Sequence, residues 1–401
     1  MSRWLSIVGL GEGGWSELSP LGRSLVEGAE LVVGGERHLA MLPPSVQGRR
    51  LGWATPLSRT VDEIVAQRGR PVAVLATGDP MHFGIGVTLA RAVPVSEMLM
   101  LPAPSAFSLA AARLGWPLAE CDCLTLHGRP LARVAGFLHH GARLLVLSHD
   151  GATPAQIAAE FVRRGFGRSK IFLLEHMGGQ SERILEGTAD GWTIERTADL
   201  NTLAIECHAG PGAISFPRLP GLPDEAFQHD GQLTKREIRA ATLAVLAPLS
   251  GQRLWDVGAG CGSIAIEWLR AGRDMKAIAI ESNAKRRSLI AENACALGTP
   301  EIEILSGEAP QALADLARPD AVFIGGGISE EVVQRSWAAL PAGGRLVANV
   351  VTVEGEACVA EHREALGGAL TRIVVSRAEP LGAHLGWRPM MPVTQWAAVK
   401  P

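Results

Sequence analysis

Short apolar runs separated by amphipathic stretches recur along most of the chain. Trp4-Leu5-Ser6-Ile7-Val8-Gly9 reads as a buried strand ending in glycines, and Leu18 to Ala29 as a helix with Ser19 and Pro20 as start signals. Leu31-Val32-Val33-Gly34 and Pro71 to Ala76 predict two more strands, and Ala106 to Leu114 a helix. Arg143 to Leu147 predicts a strand, Thr153-Pro154 opens a helix reaching about Arg164, and Lys170 to Leu174 is again strand-like. Strands alternating with helices imply parallel pairing in an α/β layer architecture.

Residues 208–228 break this rhythm with His208-Ala209-Gly210-Pro211-Gly212 and then Pro217, Pro220 and Pro223, a density of breakers that marks a linker. The alternation then resumes. Arg253 to Val257, Ala277 to Glu281 and the stretches near 302–305, 320–324 and 345–350 read as strands, with helices over Ser263 to Ala271 and Ala284 to Leu297. Gly386 to Lys400 ends in alternating apolar residues and predicts an antiparallel edge hairpin. No motif is shared between the halves, so the expected organisation is two unlike α/β domains, residues 1–208 and 229–401, joined by a linker at 209–228.

Composition narrows the function classes. The 401 residues carry 38 Lys and Arg against 41 Asp and Glu, a balance that argues against a nucleic-acid partner. The six cysteines form no C-x-x-C, and no histidine pair completes a zinc spacing, so neither a disulfide framework nor a metal is expected. The start has one Arg and too short an apolar run for a signal peptide, and no run approaches a membrane span. A cytoplasmic homo-oligomer is the expectation.

The most specific motif is Asp256-Val257-Gly258-Ala259-Gly260-Cys261-Gly262, set between a strand and a helix. Glycines let backbone turn tightly and approach a ligand, and the following helix presents free N–H groups. Glu281 ends the next strand, where a carboxylate accepts from both hydroxyls of a ribose. A dinucleotide loop would place its third glycine at the position of Ser263, and Asp256 at the leading edge would repel a pyrophosphate. Asp256 suits instead the ammonium end of S-adenosylmethionine, or water around it, and Glu308 after the following strand suits the adenine edge. A dinucleotide site and a purely structural glycine turn are the alternatives. In the first half, Val8 to Gly14, Thr77 to Gly86 and Pro102 to Phe107 each follow an apolar strand; in a parallel sheet they meet at one edge, as a cleft or as ordinary tight turns.

These residues resemble known families. Val8-Gly-Leu-Gly-Glu-Gly-Gly14, Gly78-Asp-Pro80 and Pro104-Ser-Ala106 are similar to the methyltransferases that act on tetrapyrrole rings. His229 to Arg239, followed by Asp256 to Trp268, resembles the decarboxylating precorrin methyltransferases, and the two in this order resemble the fused C5,15-methyltransferases of cobalamin biosynthesis. The resemblance implies a tetrapyrrole-methylase domain that methylates C5, and a Rossmann-like domain that methylates C15 and removes the C12 acetate carboxyl. It implies precorrin-6B as substrate, precorrin-8X as product and one S-adenosylmethionine per domain. Carried over by motif, Thr234, Gly258, Ala259, Gly260, Cys261, Gly262, Glu281 and Ala309 hold the cofactor in the second domain. Leu10, Gly78, Asp79, Ser105 and Ala106 do so in the first, where the glycine loop can face the tetrapyrrole instead.

Such a substrate carries many carboxylates, so its pocket calls for cations. Candidates are His229, Lys235, Arg236, Arg239 and Arg388 in the second half and His82, His127 and Arg129 in the first. Lys235-Arg236 reads equally as a solvated helix start, His127 as the cap of a strand end, and Asn349 as either a substrate-orienting or a turn residue. No residue stands out as a general base.

Overall fold

The computed structural model describes residues 3–401. They fall into two compact units, Met1–Leu131 with His139–Ile214, and Ala132–Leu138 with Ser215–Pro401. The break at 214/215 lies inside the breaker-rich segment 209–228. Leu222 and Phe227, near its end, pack into the core of the second unit.

In the first unit the strands are β1 (Leu5–Leu10), β2 (Leu31–Val33), β3 (Arg49–Leu51), β4 (Val72–Thr77), β5 (Met98–Leu101), β6 (Asp122–Thr125), β7 (Arg143–Leu147), β8 (Lys170–Glu175), β9 (Arg183–Thr188) and β10 (Asn201–Glu206). The helices are α1 (Pro20–Glu27), α2 (Glu36–Ala40), α3 (Ser58–Ala66), α4 (Ile85–Ala92), α5 (Ala106–Leu114) and α6 (Thr153–Arg163). Ser19 caps α1 by accepting from the Gly22 amide at 3.1 Å, and Pro20 takes the first helical position, where no N–H is missed.

One sheet of this unit, ordered β3-β2-β4-β1-β5, is wholly parallel. Leu5, Ile7, Leu31, Val33, Val72 and Val74 pack on one face, and Val8, Leu10, Val32, Ala73 and Leu75 on the other. Burial on both faces explains why these strands are continuous apolar runs rather than alternating ones. The other sheet, β6-β7-β10-β8-β9, departs from the expected parallel pairing: only β6–β7 is parallel, while β10 runs antiparallel to β7 and β8, and β9 to β8. No helix intervenes between β8 and β9, so the chain returns as a hairpin.

The second unit has α7 (Arg236–Leu246), β11 (Arg253–Val257), α8 (Ser263–Arg270), β12 (Lys276–Glu281), α9 (Ala284–Ala296), β13 (Glu303–Ser306), β14 (Ala321–Ile324), α10 (Glu330–Ala339), β15 (Arg345–Val350), α11 (Val353–Leu366), β16 (Ala369–Ile373), β17 (Ser376–Leu381), β18 (His384–Pro389) and β19 (Val393–Val399). Its main sheet runs β13-β12-β11-β14-β15-β19-β16, parallel through β15. Leu254, Ala277, Phe323 and Val347 face one core, and Trp255, Ile278, Val322 and Leu346 the other. The chain leaves β11 toward β12 and β13, then crosses back to β14 and β15, which opens a crevice at the carboxyl ends beside β11.

The edge hairpin expected over 386–400 is not what forms. β18 pairs only with β17, as a two-stranded ribbon, and β19 inserts antiparallel between β15 and β16. β19 is buried on both faces: Trp396 is enclosed with its indole N–H donated to the Gly367 carbonyl at 3.0 Å, and Thr394 and Gln395 are buried with hydrogen bonds. Those bonds let polar residues sit in the covered part of a strand that its alternating sequence disguises as half-exposed.

Candidate functional site

β11 delivers the glycine loop to the crevice. Gly258 and Ala259 donate to the Ile280 carbonyl at 3.0 and 3.1 Å, tying the loop to the end of β12. Gly258 has φ +72°, and a Cβ there would lie 2.9 Å from the backbone of Gly326, so this turn requires glycine on both counts. Glu281 is 5% exposed and held by two backbone amides: Gly260 donates to one carboxylate oxygen at 2.9 Å, Asn283 to the other at 2.9 Å. Its carboxylate is thereby aimed before any ligand arrives.

A cleft of about 800 Å³ opens over this loop. Of the residues expected at the cofactor, Thr234, Gly258, Ala259, Gly260, Cys261, Glu281, Glu308 and Ala309 line it; of the substrate candidates, Lys235 and Asn349 do. Sequence reasoning missed Gly325-Gly326-Gly327 after β14, Ser282 and Arg286 beside Glu281, and the apolar residues Val351, Val375, Met390, Met391 and Val393. The glycine triplet follows an apolar strand, so the rule that found the first loop would have found it. Arg286 is paired to Asp230 at 2.8 Å.

The structure places the other expected residues of the second unit outside this lining. Asp256 does not line the cleft. It is 1% exposed, and it accepts from the Ala265 amide at 3.0 Å, bracing the first turn of α8. Burial, with the Glu281 charge adding to it, pushes its carboxyl up to about 7 against the pull of the Ala265 N–H. Gly262 also stands outside the lining, where a Cβ would meet Ile290 at 2.9 Å. Arg239 is no substrate cation: it is fully buried, donates to Glu267 at 2.5 Å and Asp224 at 3.3 Å, and also bonds the carbonyls of Thr234 and Leu222. Arg388 reaches Glu379 at 2.7 Å on the exposed β17–β18 ribbon. His229 caps its own turn by accepting from the Gly231 amide at 3.1 Å, and exposed Arg236 lies outside the lining.

In the first unit the three loops do meet. Gly78 donates to the Leu10 carbonyl at 3.2 Å and its own carbonyl accepts from Ala103 at 3.2 Å. A Cβ on Gly9 would lie 2.1 Å from the Gly78 oxygen, so the ends of β1, β4 and β5 touch backbone to backbone. Leu10 is buried. Asp79 accepts from the Met81 amide at 2.8 Å, and Ser105 caps α5, whose first residue is Ala106, through the Ser108 amide at 3.1 Å. The His82 ring sits 4.7 Å from Phe107, Arg129 lies 5.8 Å over Phe83, and His127 is 5.7 Å from His149. Unforeseen from sequence is a charged group at the same edge: Glu12 joins Arg37 and His176, the latter at 3.0 Å, while Thr77 lies 3.3 Å from His38. Burial and the Arg37 charge lower His38 to about 4, so it stays neutral in this group at pH 7.

Among the described residues no cluster of three or more His, Cys, Asp or Glu could hold a metal, and no helix is long and apolar enough to cross a membrane.

Comparison with known proteins follows the two units. Residues 5–191 match the family described as tetrapyrrole (corrin/porphyrin) methylases, and residues 225–400 match the precorrin methyltransferase domain. A Sinorhizobium protein named precorrin-6Y C(5,15)-methyltransferase [decarboxylating] is 48% identical over 401 residues, covering 100% of this chain and 97% of that protein. Two shorter relatives each match part of the chain. One from Salmonella typhimurium, named cobalt-precorrin-7 C(5)-methyltransferase, is 28% identical and covers 45% of this chain and 88% of its own. One from Saccharolobus solfataricus, named probable cobalt-precorrin-6B C(15)-methyltransferase (decarboxylating), is 35% identical and covers 34% of this chain and 72% of its own. With two fitting domain matches in order and 48% identity end to end, the chain belongs to the family of decarboxylating precorrin-6Y C(5,15)-methyltransferases.

Proposed function

We propose that the chain converts precorrin-6B to precorrin-8X and CO2 with two S-adenosylmethionines, in cobalamin biosynthesis. The observation that carries this reading is the cleft of the second unit, where the glycine loop, the pre-aimed Glu281 and Glu308 converge at the carboxyl edge of a parallel sheet. The donor set fits the cofactor: a carboxylate with both oxygens fixed by amides suits a ribose diol, and neutral glycine backbone beside it suits a ligand without phosphates. When bound, S-adenosylmethionine supplies an activated methyl group. The residues of the chain hold it, align the acceptor carbon and exclude water. Lys235 is a cation of the cleft that can meet a substrate carboxylate, while Arg286 beside it is engaged by Asp230.

The division of labour we propose gives C5 methylation to the first domain, residues 1–208, and C15 methylation with C12 acetate decarboxylation to the second, residues 229–401. Supporting it are the two separate relatives named for those two activities, each matching less than half of this chain. One cofactor per domain, precorrin-6B as the specific substrate, and a cytoplasmic homo-oligomer belong to the same proposal. The test is mass spectrometry of the ring product after incubation with precorrin-6B and S-adenosylmethionine. Gain of two methyl groups with loss of CO2 is expected; an unmodified ring refutes the reading. Calorimetry with S-adenosylhomocysteine should count two sites per chain, and a count of one refutes the two-site claim.

A further inference from the structure

The walls of the second-unit cleft differ in chemistry. Lys235, Arg286, Glu281 and Glu308 lie at the ends of α7, α9, β12 and β13 or just beyond. A second part of the lining, Val351, Val375, Met390, Met391 and Val393, is apolar. Val351 follows β15, whose Val350 pairs with Thr394 of β19; Val393 pairs with Ile373 of β16; and Met390 donates its amide to the Val375 carbonyl at 2.9 Å. The polar side chain in this strip is Asn349, directly opposite Gln395 in the β15–β19 register.

The Asn349 amide is locked. The Thr242 hydroxyl donates to the Ile238 carbonyl at 2.8 Å, which leaves its oxygen only as an acceptor. It accepts from Asn349 Nδ2 at 2.8 Å and from Gln395 Nε2 at 3.1 Å, while Gln395 Nε2 also donates to Asn349 Oδ1 at 3.0 Å. Thr242 is fully buried and Gln395 is 3% exposed, so the triad has one consistent arrangement of donors and acceptors. In it Asn349 keeps one N–H without a protein partner among the described residues, on a residue that lines the cleft.

We infer that Thr242 and Gln395 are positioning residues that fix Asn349 so that its free N–H receives, on the apolar strip, the carboxylate that the substrate loses. The inference rests on the decarboxylating reading above. A carboxylate moved from water to an apolar surface rises in free energy, whereas CO2 needs no such solvation, so the barrier to its departure falls. A neutral N–H orients the carboxylate without neutralising it; a cation would hold the group in place. In the step, the bond between the acetate methylene and its carboxyl carbon breaks and the bonding pair passes into the conjugated macrocycle. CO2 leaves; the pair then returns from the macrocycle to the methylene carbon, which forms a C–H bond with a proton from water to become a methyl, leaving hydroxide.

The experiment uses the full-length protein with precorrin-6B and S-adenosylmethionine, following CO2 release and ring mass, beside calorimetry with S-adenosylhomocysteine. Asn349→Asp puts an anion where the N–H stood, and Gln395→Met removes the lock. Both should lower the turnover rate for CO2 release about ten- to hundredfold, with KM and the affinity of the second cofactor site little changed. Release near the wild-type rate in Asn349→Asp overturns the inference, as does a loss of cofactor affinity in parallel with CO2 release, which marks a structural role. Should Gln395→Met fail to fold, half-buried Asn349→Asp decides alone. A wild-type protein that releases no CO2 overturns the functional reading itself, and the inference with it.

Discussion

Arg239 is the residue on which sequence and structure disagree most, and replacing it by methionine separates the two. The guanidinium joins Glu267 (2% exposed) and Asp224 (8% exposed) and closes the carbonyls of Leu222 and Thr234, so it fastens 222–234 to α7 and α8. In Arg239→Met, Glu267 keeps only the amides of Gly221 at 2.6 Å and Leu222 at 3.0 Å, and Asp224 keeps the Arg236 amide and Arg377. Removing one partner from a buried ion pair costs about 3–5 kcal/mol. Against a total of roughly 5–15 kcal/mol for a domain, that is a large share. The assay is urea unfolding of wild type and variant at pH 7.5, followed by tryptophan fluorescence; Trp268 is buried in the second unit. A fall of the midpoint by 1 M or more is expected for a slope of about 1–3 kcal/mol/M. The reasoning is refuted if the midpoint is unchanged while tetrapyrrole affinity falls, the outcome that a substrate-binding arginine would give.

Three further outcomes follow from the geometry. The Asp256 carboxyl, raised by burial to about 7 from its ordinary 3.8, favours the protonated form in the folded protein, so stability falls as pH rises from about 4 to 7 and is level beyond. Asp256→Asn should therefore gain stability over cofactor-free wild type across that window, by an upper bound on the order of 4 kcal/mol at pH 8; a pH-independent difference in thermal midpoint between pH 4 and pH 8 would contradict this. Gly258→Ala places a Cβ 2.9 Å from Gly326 at φ +72°, so calorimetry should show the second-unit site weakened at least about tenfold and the first-unit site intact. Gly9→Ala places a Cβ 2.1 Å from the Gly78 oxygen and should do the converse, leaving one site in place of two. Loss of both sites in either variant would show that the two do not bind independently.

What the sequence disclosed was what is local. Gly258 to Cys261, Glu281 and Glu308 are separated by whole strand–helix units, so spacing alone places them at one sheet edge, and they meet at the cleft there. The apolar wall could not be read this way. Val351 and Val393 adjoin only because β19 inserts beside β15, a pairing that no local pattern specifies. Arg239 beside Lys235 and Arg236 reads as part of a basic patch, yet Arg239 is buried against Glu267 and Asp224, Arg236 is exposed, and Lys235 alone lines the cleft. Asp256 was assigned to the ligand because its charge was visible and its burial was not. Asn349 presented an ambiguity that only its partners, Thr242 and Gln395, resolve.

The sheet orders described above also bear on how the protein avoids polymerising. Every open sheet edge is a template for another strand, and charged side chains are a common guard. Of the six edges of the three larger sheets, five carry charges: Arg49 and Arg50 on β3, Asp122 on β6, Arg183 and Glu186 on β9, Glu303 on β13 and Arg372 on β16. The sixth, β5, reads Met98-Leu99-Met100-Leu101. Partial unfolding that uncovers β5 would expose a short, uncharged, proline-free strand with nothing to deter a second copy. Aggregation on heating should therefore begin there, and a single lysine at Leu99 or Met100, both half-buried, should slow it more than the same change on any other edge.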